Sequence, residues 1–258
     1  MRSPAIFVEE SSELHIRKKR LIAKFLSLHR GVSIQHARHL VNILRSEVSH
    51  CVGNILLPSI IIAPASCFVQ AATYVVLSGS SQRNRGMRHK AAIIIRHQDF
   101  KPLSYNFDLA LIKIVPPIGW NNHPIELAQK PLFPHSPGYI TGWGCAATGP
   151  KSAKIILNEL QIIEMNTIEY FQCQRFYKLY GENITLTMHN FCTFDPSKQK
   201  RGCEGGTPFI RNGKLAGIMP YREHSVTGKN PQVFLDLGHP DIKEWIDHIL
   251  VEFKSVRK

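Results

Sequence analysis

The side chains best equipped for chemistry are six cysteines and thirteen histidines, and their spacing excludes more than it invites. Cys203 follows the basic pair Lys200 and Arg201. A thiolate there would be a nucleophile if a cation or base were held beside it. Both neighbouring cations sit on flexible stems, and an even cysteine count is better used as three disulfides, so Cys203 reads as a bridged cysteine. Bridged cysteines imply an oxidising compartment. The chain has no Cys-x-x-Cys pair, and His36 and His39 in His-Ala-Arg-His have no ligand-type neighbours. No metal site and no cofactor are therefore expected. Asn183-Ile184-Thr185 is a glycosylation sequon, which matters only to a chain in the secretory pathway.

The elements that must position these residues read as short strands. Tyr74–Leu77 precedes Ser78-Gly79-Ser80-Ser81, Ala110–Val115 precedes Pro116-Pro117, and Ala92–Arg96 and Glu159–Ile163 are similar runs. Ile55–Leu57 and Ile60–Ala63 flank Pro58-Ser59 and read as a buried strand pair rather than a membrane span. Regular short strands with glycine and proline turns point to an all-β sandwich or barrel. The end differs: Ile242, Trp245, Ile246, Ile249 and Leu250 share one face at helical spacing after Pro240. Acids at its start and bases at its end suit the helix dipole, so a closing helix is expected there. The 258 residues are 43% hydrophobic, ordinary for a packed chain. A net charge of +13 favours encounters with anionic partners, but the bases form no run longer than Arg17-Lys18-Lys19-Arg20. Met1–Arg20 lacks the apolar core of a signal peptide and reads as a leader or propeptide-like segment; either its true start is missing or misassigned, the favoured reading, or the protein leaves the cell by another route.

Five motifs, kept in order and spacing over roughly residues 21–252, resemble the chymotrypsin/trypsin-like serine protease family. Cys51–Leu56 resembles the family's Cys-Gly-Gly-x-Leu-Ile strand, and Ala63-Pro64-Ala65-Ser66-Cys67 stands where the family has Thr-Ala-Ala-His-Cys. Asn106–Ile112 resembles Asn-Asp-Ile-Ala-Leu-Leu, Tyr139–Gly144 resembles Val-Ser-Gly-Trp-Gly, and Pro231–Phe234 with Asp241–Ile246 resembles the family's closing segment. The resemblance implies one homology domain over residues 21–258, built as two six-stranded antiparallel β-barrels with a C-terminal helix.

The same resemblance implies a degenerate catalytic triad. Ser66 replaces the histidine, and a hydroxyl cannot accept a proton near neutral pH. Gly202-Cys203-Glu204-Gly205-Gly206-Thr207-Pro208 replaces Gly-Asp-Ser-Gly-Gly-Pro. Either Glu204 takes the serine's place and Cys203 the aspartate's, or Cys203 is the preceding cysteine and two residues are deleted; neither register leaves a serine. Asp108 survives, and without a histidine to orient it is expected to be a buried structural carboxylate, with the Ser66 hydroxyl as a partner. Pro220-Tyr221-Arg222 stands where Ser-Trp-Gly lines the family's substrate pocket, so Arg222 replaces a glycine, as Gln232 replaces a wall glycine; Arg201 is basic where a trypsin carries its substrate-binding aspartate, and the pocket is expected to be occluded. In the family, cleavage after a base frees an ammonium that pairs with the aspartate beside the serine. Arg20-Leu21-Ile22-Ala23 is a degraded form of that junction, and Glu204 could substitute for the aspartate in one register. Family pairings imply disulfides Cys51–Cys67 and Cys173–Cys192, leaving Cys145 and Cys203 for a third.

The function implied is that of a secreted, inactive homologue, most similar to arthropod members, which binds another protein such as an active protease or its substrate. Two alternatives stand beside it: a hydrolase with a rearranged site using Thr207, Cys203 or Glu204, and a secreted protein binding anionic glycans. A monomer is expected, with no nucleic acid and no membrane span.

Overall fold

The computed structural model describes residues 31–102, 105–119, 122–146, 155–156, 158–179, 186–195, 202, 204–221 and 231–255. The leader-like segment 1–20 and the boundary at residue 21 lie outside them. Strands β1 (Leu40–Arg45), β2 (Val48–Leu57), β3 (Ile60–Ala63), β4 (Tyr74–Ser78), β5 (Met87–Arg96) and β6 (Ala110–Val115) close into a barrel in the order β1-β2-β3-β6-β5-β4. A second barrel closes in the order β10-β11-β14-β13-β12-β7 from β7 (Pro137–Gly142), β10 (Gln161–Ile168), β11 (Asn190–Thr193), β12 (Pro208–Arg211), β13 (Lys214–Ile218) and β14 (Gln232–Asp236). The short β8 (Cys145–Ala146) and β9 (Ile155–Ile156) pair beside it.

Side-chain alternation explains the closure. Along β10, Gln161, Ile163, Met165 and Thr167 point inward while the intervening residues are more exposed. Barrel one fills with Val41, Ile43, Ile55, Ile61, Val76 and Ile112, and barrel two with Ile140, Phe191, Phe209 and Phe234. A third apolar cluster joins the two barrels, bringing Leu56, Ile62 and Leu111 against Ile210, Leu215 and Leu235. Closure also removes the free strand edges that would invite pairing with other chains.

Helix α1 (Tyr170–Leu179) was not foreseen from apolar spacing; it is held by a disulfide from Cys173 to Cys192 and by Tyr177 Oη, which donates to Pro231 O at 2.6 Å. The closing helix α2 (Pro240–Ser255) runs beyond the expected Leu250, because Phe253 continues the buried face of Ile242, Trp245, Ile246 and Ile249. Leu250 itself is only partly buried at the edge of that cluster. None of the described helices is long and apolar enough to cross a membrane.

Two buried groups titrate in opposition. His39, 8% exposed, is driven down to about 4 by desolvation. Asp236, 3% exposed, is pushed up to about 6 by burial, against the Leu132 and Gly238 amides that hold it lower. Below its usual 6.5 the unfolded chain protonates His39 and the folded one does not, so stability falls as pH drops from 6.5 towards 4. Asp236 stays protonated in the fold up to about 6 but ionises near 3.8 when unfolded, so its contribution is lost as pH rises through that window. Asp236→Asn is therefore expected to lose about 2 kcal/mol more than the parent on going from pH 7.5 to 4.5 in urea denaturation. An identical pH slope in both proteins would contradict this assignment.

Candidate functional site

Ser66 is presented by a 3-10 turn, Ala65–Phe68, that Pro64 starts and the Cys51–Cys67 disulfide ties to β2. Asp108 arrives from the segment before β6, where Phe107 adopts a left-handed backbone with φ 52°. The two residues meet directly. The Ser66 amide donates to Asp108 Oδ1 at 2.7 Å and the Ser66 hydroxyl to Oδ2 at 2.6 Å. Asp108 is only 1% exposed, and a buried carboxylate requires such donors. The Ser66 Oγ also accepts from the Tyr221 amide at 3.0 Å, so the hydroxyl's proton and one of its lone pairs are both engaged. Ser66→Ala removes both bonds and is expected to cost about 1.5–3 kcal/mol, measured by chemical denaturation. A cost near zero would show that the pair contributes nothing to the fold.

Opposite stands the glycine loop. Gly205 packs so tightly on residue 221 that a Cβ there would lie 2.6 Å from Tyr221 Cα and 2.4 Å from its Cβ. The main chain of Tyr221 thus touches both Ser66 and Gly205, filling the ground between them. Its ring lies 4.5 Å from that of His50, whose Nε2 is engaged with Cys67 O at 3.1 Å. Thr207 turns back on its own loop, its Oγ1 donating to Glu204 O at 2.8 Å.

Glu204 is part of a different arrangement, which motif reading did not reveal. Its carboxylate is 1% exposed, and Oε2 accepts from the Trp143 amide at 2.9 Å and the Gly144 amide at 3.3 Å. Oε1 faces Arg83 Nη1 at 3.0 Å, a charge contact outside good hydrogen-bond alignment. Arg83 is 4% exposed at its side chain, from the loop between β4 and β5. That loop is anchored by Arg83 Nε donating to Ser49 Oγ, by Asn42 Nδ2 donating to Arg83 O at 2.7 Å, and by Arg83 N donating to Asn158 O at 3.0 Å. Nothing in the spacing of Arg83 marks it among 32 bases.

Gln232, buried on β14, braces the start of the glycine loop: Gly202 N donates to its Oε1 at 3.0 Å, and its Nε2 donates to Gly202 O at 2.7 Å. Of the other sequence-derived site residues, Arg201, Cys203, Arg222 and Asn183 lie outside the described residues, and Cys145 is described by its backbone alone. The Cys145–Cys203 bridge therefore lies outside them too. Cys51–Cys67 and Cys173–Cys192 are formed as the resemblance implies.

The family model described as Trypsin matches residues 29–246. A trypsin from Sarcophaga bullata is 27% identical over 225 residues, covering 83% of this chain and 85% of that protein. Trypsin delta of Drosophila melanogaster is 24% identical over 211 residues, covering 80% and 81%. Among solved structures, the scabies mite inactivated protease paralogue S-D1 superposes with a TM-score of 0.75 at 25% identity, covering 85% of this chain and 97% of that one.

Proposed function

The chain belongs to the trypsin family of serine proteases, and within that family we propose that it is a secreted homologue that binds another protein without cutting it. The observation that carries this reading is the Ser66 hydroxyl. It stands in the motif position of the general base, donates to Asp108 and accepts from the Tyr221 amide. Peptide hydrolysis by this fold needs a nucleophile and a base that can take its proton. In this reading, Ser66 supplies no base, the Glu204 carboxylate is taken up by the Trp143 and Gly144 amides and Arg83, Thr207 bonds back onto its own loop, and Tyr221 covers the ground a scissile bond would need. A near neighbour in structure is described as an inactivated protease paralogue, which supports the reading by analogy.

The Arg83–Glu204 pair supports it from another side. In the family pattern the loop is set by an ammonium released on cleavage. Here a cation within the chain already faces the loop's carboxylate, so we read the loop as fixed from folding onward rather than switched by proteolysis. The barrels then serve as a rigid scaffold whose loops hold a partner, an active protease or that protease's substrate. Two disulfides suit an oxidising, extracellular setting.

The test is covalent labelling of the folded protein with a fluorophosphonate and with a thiol-directed probe, beside an active trypsin. No labelling is expected. Stoichiometric modification of Ser66, Thr207 or Cys203 would overturn the proposal in favour of a rearranged hydrolase.

A further inference from the structure

We propose that His189, His239 and Asp241 form a binding site for a divalent transition-metal ion of the zinc class, which clips the start of α2 to β11. The three residues lie up to 52 positions apart, so no sequence spacing announces them. His189 immediately precedes β11, while His239 and Asp241 flank Pro240 where β14 turns into α2. One donor atom from each comes within 4.8 Å of the others. Asp241 Oδ2 lies 3.0 Å from His189 Nε2 and 3.7 Å from His239 Nδ1. A tetrahedral ion with bonds of about 2.0–2.1 Å separates its ligand atoms by about 3.3 Å, so the two Asp241 contacts already lie near that spacing and the histidine donors would close by up to about 1.5 Å on binding.

Three features distinguish this cluster from a surface ion pair. First, His189 is 8% exposed, and both its ring nitrogens face oxygen: Nδ1 meets Asn106 Oδ1 at 2.7 Å and Nε2 meets Asp241 Oδ2 at 3.0 Å. With Nδ1–H donated to Asn106, Nε2 and Asp241 Oδ2 are two acceptors facing each other, which either a proton on Nε2 or a metal ion between them reconciles. That orientation of a histidine by an outer amide oxygen is the support metal-ligating histidines usually have. Second, His239 Nδ1 is buried without a hydrogen-bond partner, and at 3.7 Å the Asp241 oxygen is beyond hydrogen-bond reach. A metal bond would satisfy this nitrogen. Third, the Asp241 side chain is 60% exposed, giving an entry path and room for water in a fourth position. The Phe107 ring packs against His189, with centroids 4.7 Å apart. Two imidazoles with one carboxylate suit zinc, cobalt, nickel or copper and are poor ligands for calcium or magnesium.

The assignment does not depend on whether the protein cuts peptides. It is tested on chelator-stripped protein titrated with Zn2+ and with Co2+, followed by calorimetry, visible absorption and thermal melting. One ion per chain is expected, with a cobalt absorption band typical of low coordination number. Zn2+ at a hundredfold excess over its Kd should raise the melting temperature by about 5–10 °C. Asp241→Asn and His239→Gln should each weaken uptake by about 100-fold or more, while their metal-free melting curves confirm that they fold. Absence of saturable one-to-one uptake would overturn the proposal, as would uptake that both variants retain, since the ion would then sit on other histidines.

Discussion

Arg83→Met is expected to cost the fold about 3–5 kcal/mol, because it leaves the Glu204 carboxylate buried with its counter-charge removed. Both side chains are almost wholly inaccessible, so water cannot replace the lost partner. The Trp143 and Gly144 amides still donate to Oε2, which keeps the loss from being larger. Glu204→Gln alone leaves the guanidinium buried without its anion and should cost a comparable amount. The double variant should cost at least about 2 kcal/mol less than the sum of the two, since the uncompensated charge is then gone. Urea denaturation of the four proteins gives the cycle directly. Additive losses, or a loss below about 1 kcal/mol for Arg83→Met, would mean that the two charges are not coupled in the folded protein.

Gly206→Ala should be equally severe, at about 4 kcal/mol or more. Gly206 has φ 89°, a backbone conformation that side chains rarely adopt, and a Cβ built there would lie 1.8 Å from Val52 O and 2.8 Å from Val52 C. That neighbour is backbone of β2 in the first barrel and cannot rotate away. The loop is pinned to the barrel on both sides of this point, by Val52 N donating to Gly205 O at 2.8 Å and Asn54 Nδ2 donating to Gly206 O at 3.2 Å. Relief would therefore require the barrels to separate along a seam that also carries the central apolar cluster. Gly213→Ala serves as a control, because that glycine also has positive φ, at 71°, but open space around its Cβ position. The difference between the two losses isolates the steric part. Equal losses would show that Val52 yields.

An all-β sandwich or barrel was legible because short apolar runs broken by Pro58-Ser59, Gly79 and Pro116-Pro117 admit few alternatives to strands, whereas the pair of six-stranded barrels came from the family resemblance. The closing helix was legible for a similar reason, with Ile242, Trp245, Ile246 and Ile249 recurring at helical spacing. Helix α1 was not, since Cys173 and Tyr177 are its main inward anchors and one is a disulfide cysteine. Ser66 and Asp108 could be found because each sits in a local motif whose neighbours survive. Arg83 could not. Its importance comes from a contact with Glu204 across 121 residues and from loop anchors on Asn42, Ser49 and Asn158, none of which leaves a local pattern. The proposed metal cluster was not legible for the same reason: His189, His239 and Asp241 converge only where β11 meets the head of α2, and local spacing brings none of the three to notice. Sequence motifs report what neighbours along the chain can do, whereas burial turns distant charges into partners.

The proposed lack of catalysis rests on the Ser66 hydroxyl, which donates to Asp108 from the motif position of the family's general base, and the most direct check is turnover. Purified protein, disulfides intact and freed of contaminating proteases by inhibitor-affinity depletion, should be incubated with a library of fluorogenic peptides and with denatured casein. The account predicts release at the buffer rate, unchanged in Ser66→Ala and Asp108→Asn variants. Sustained hydrolysis by the parent protein that either substitution abolishes would contradict it.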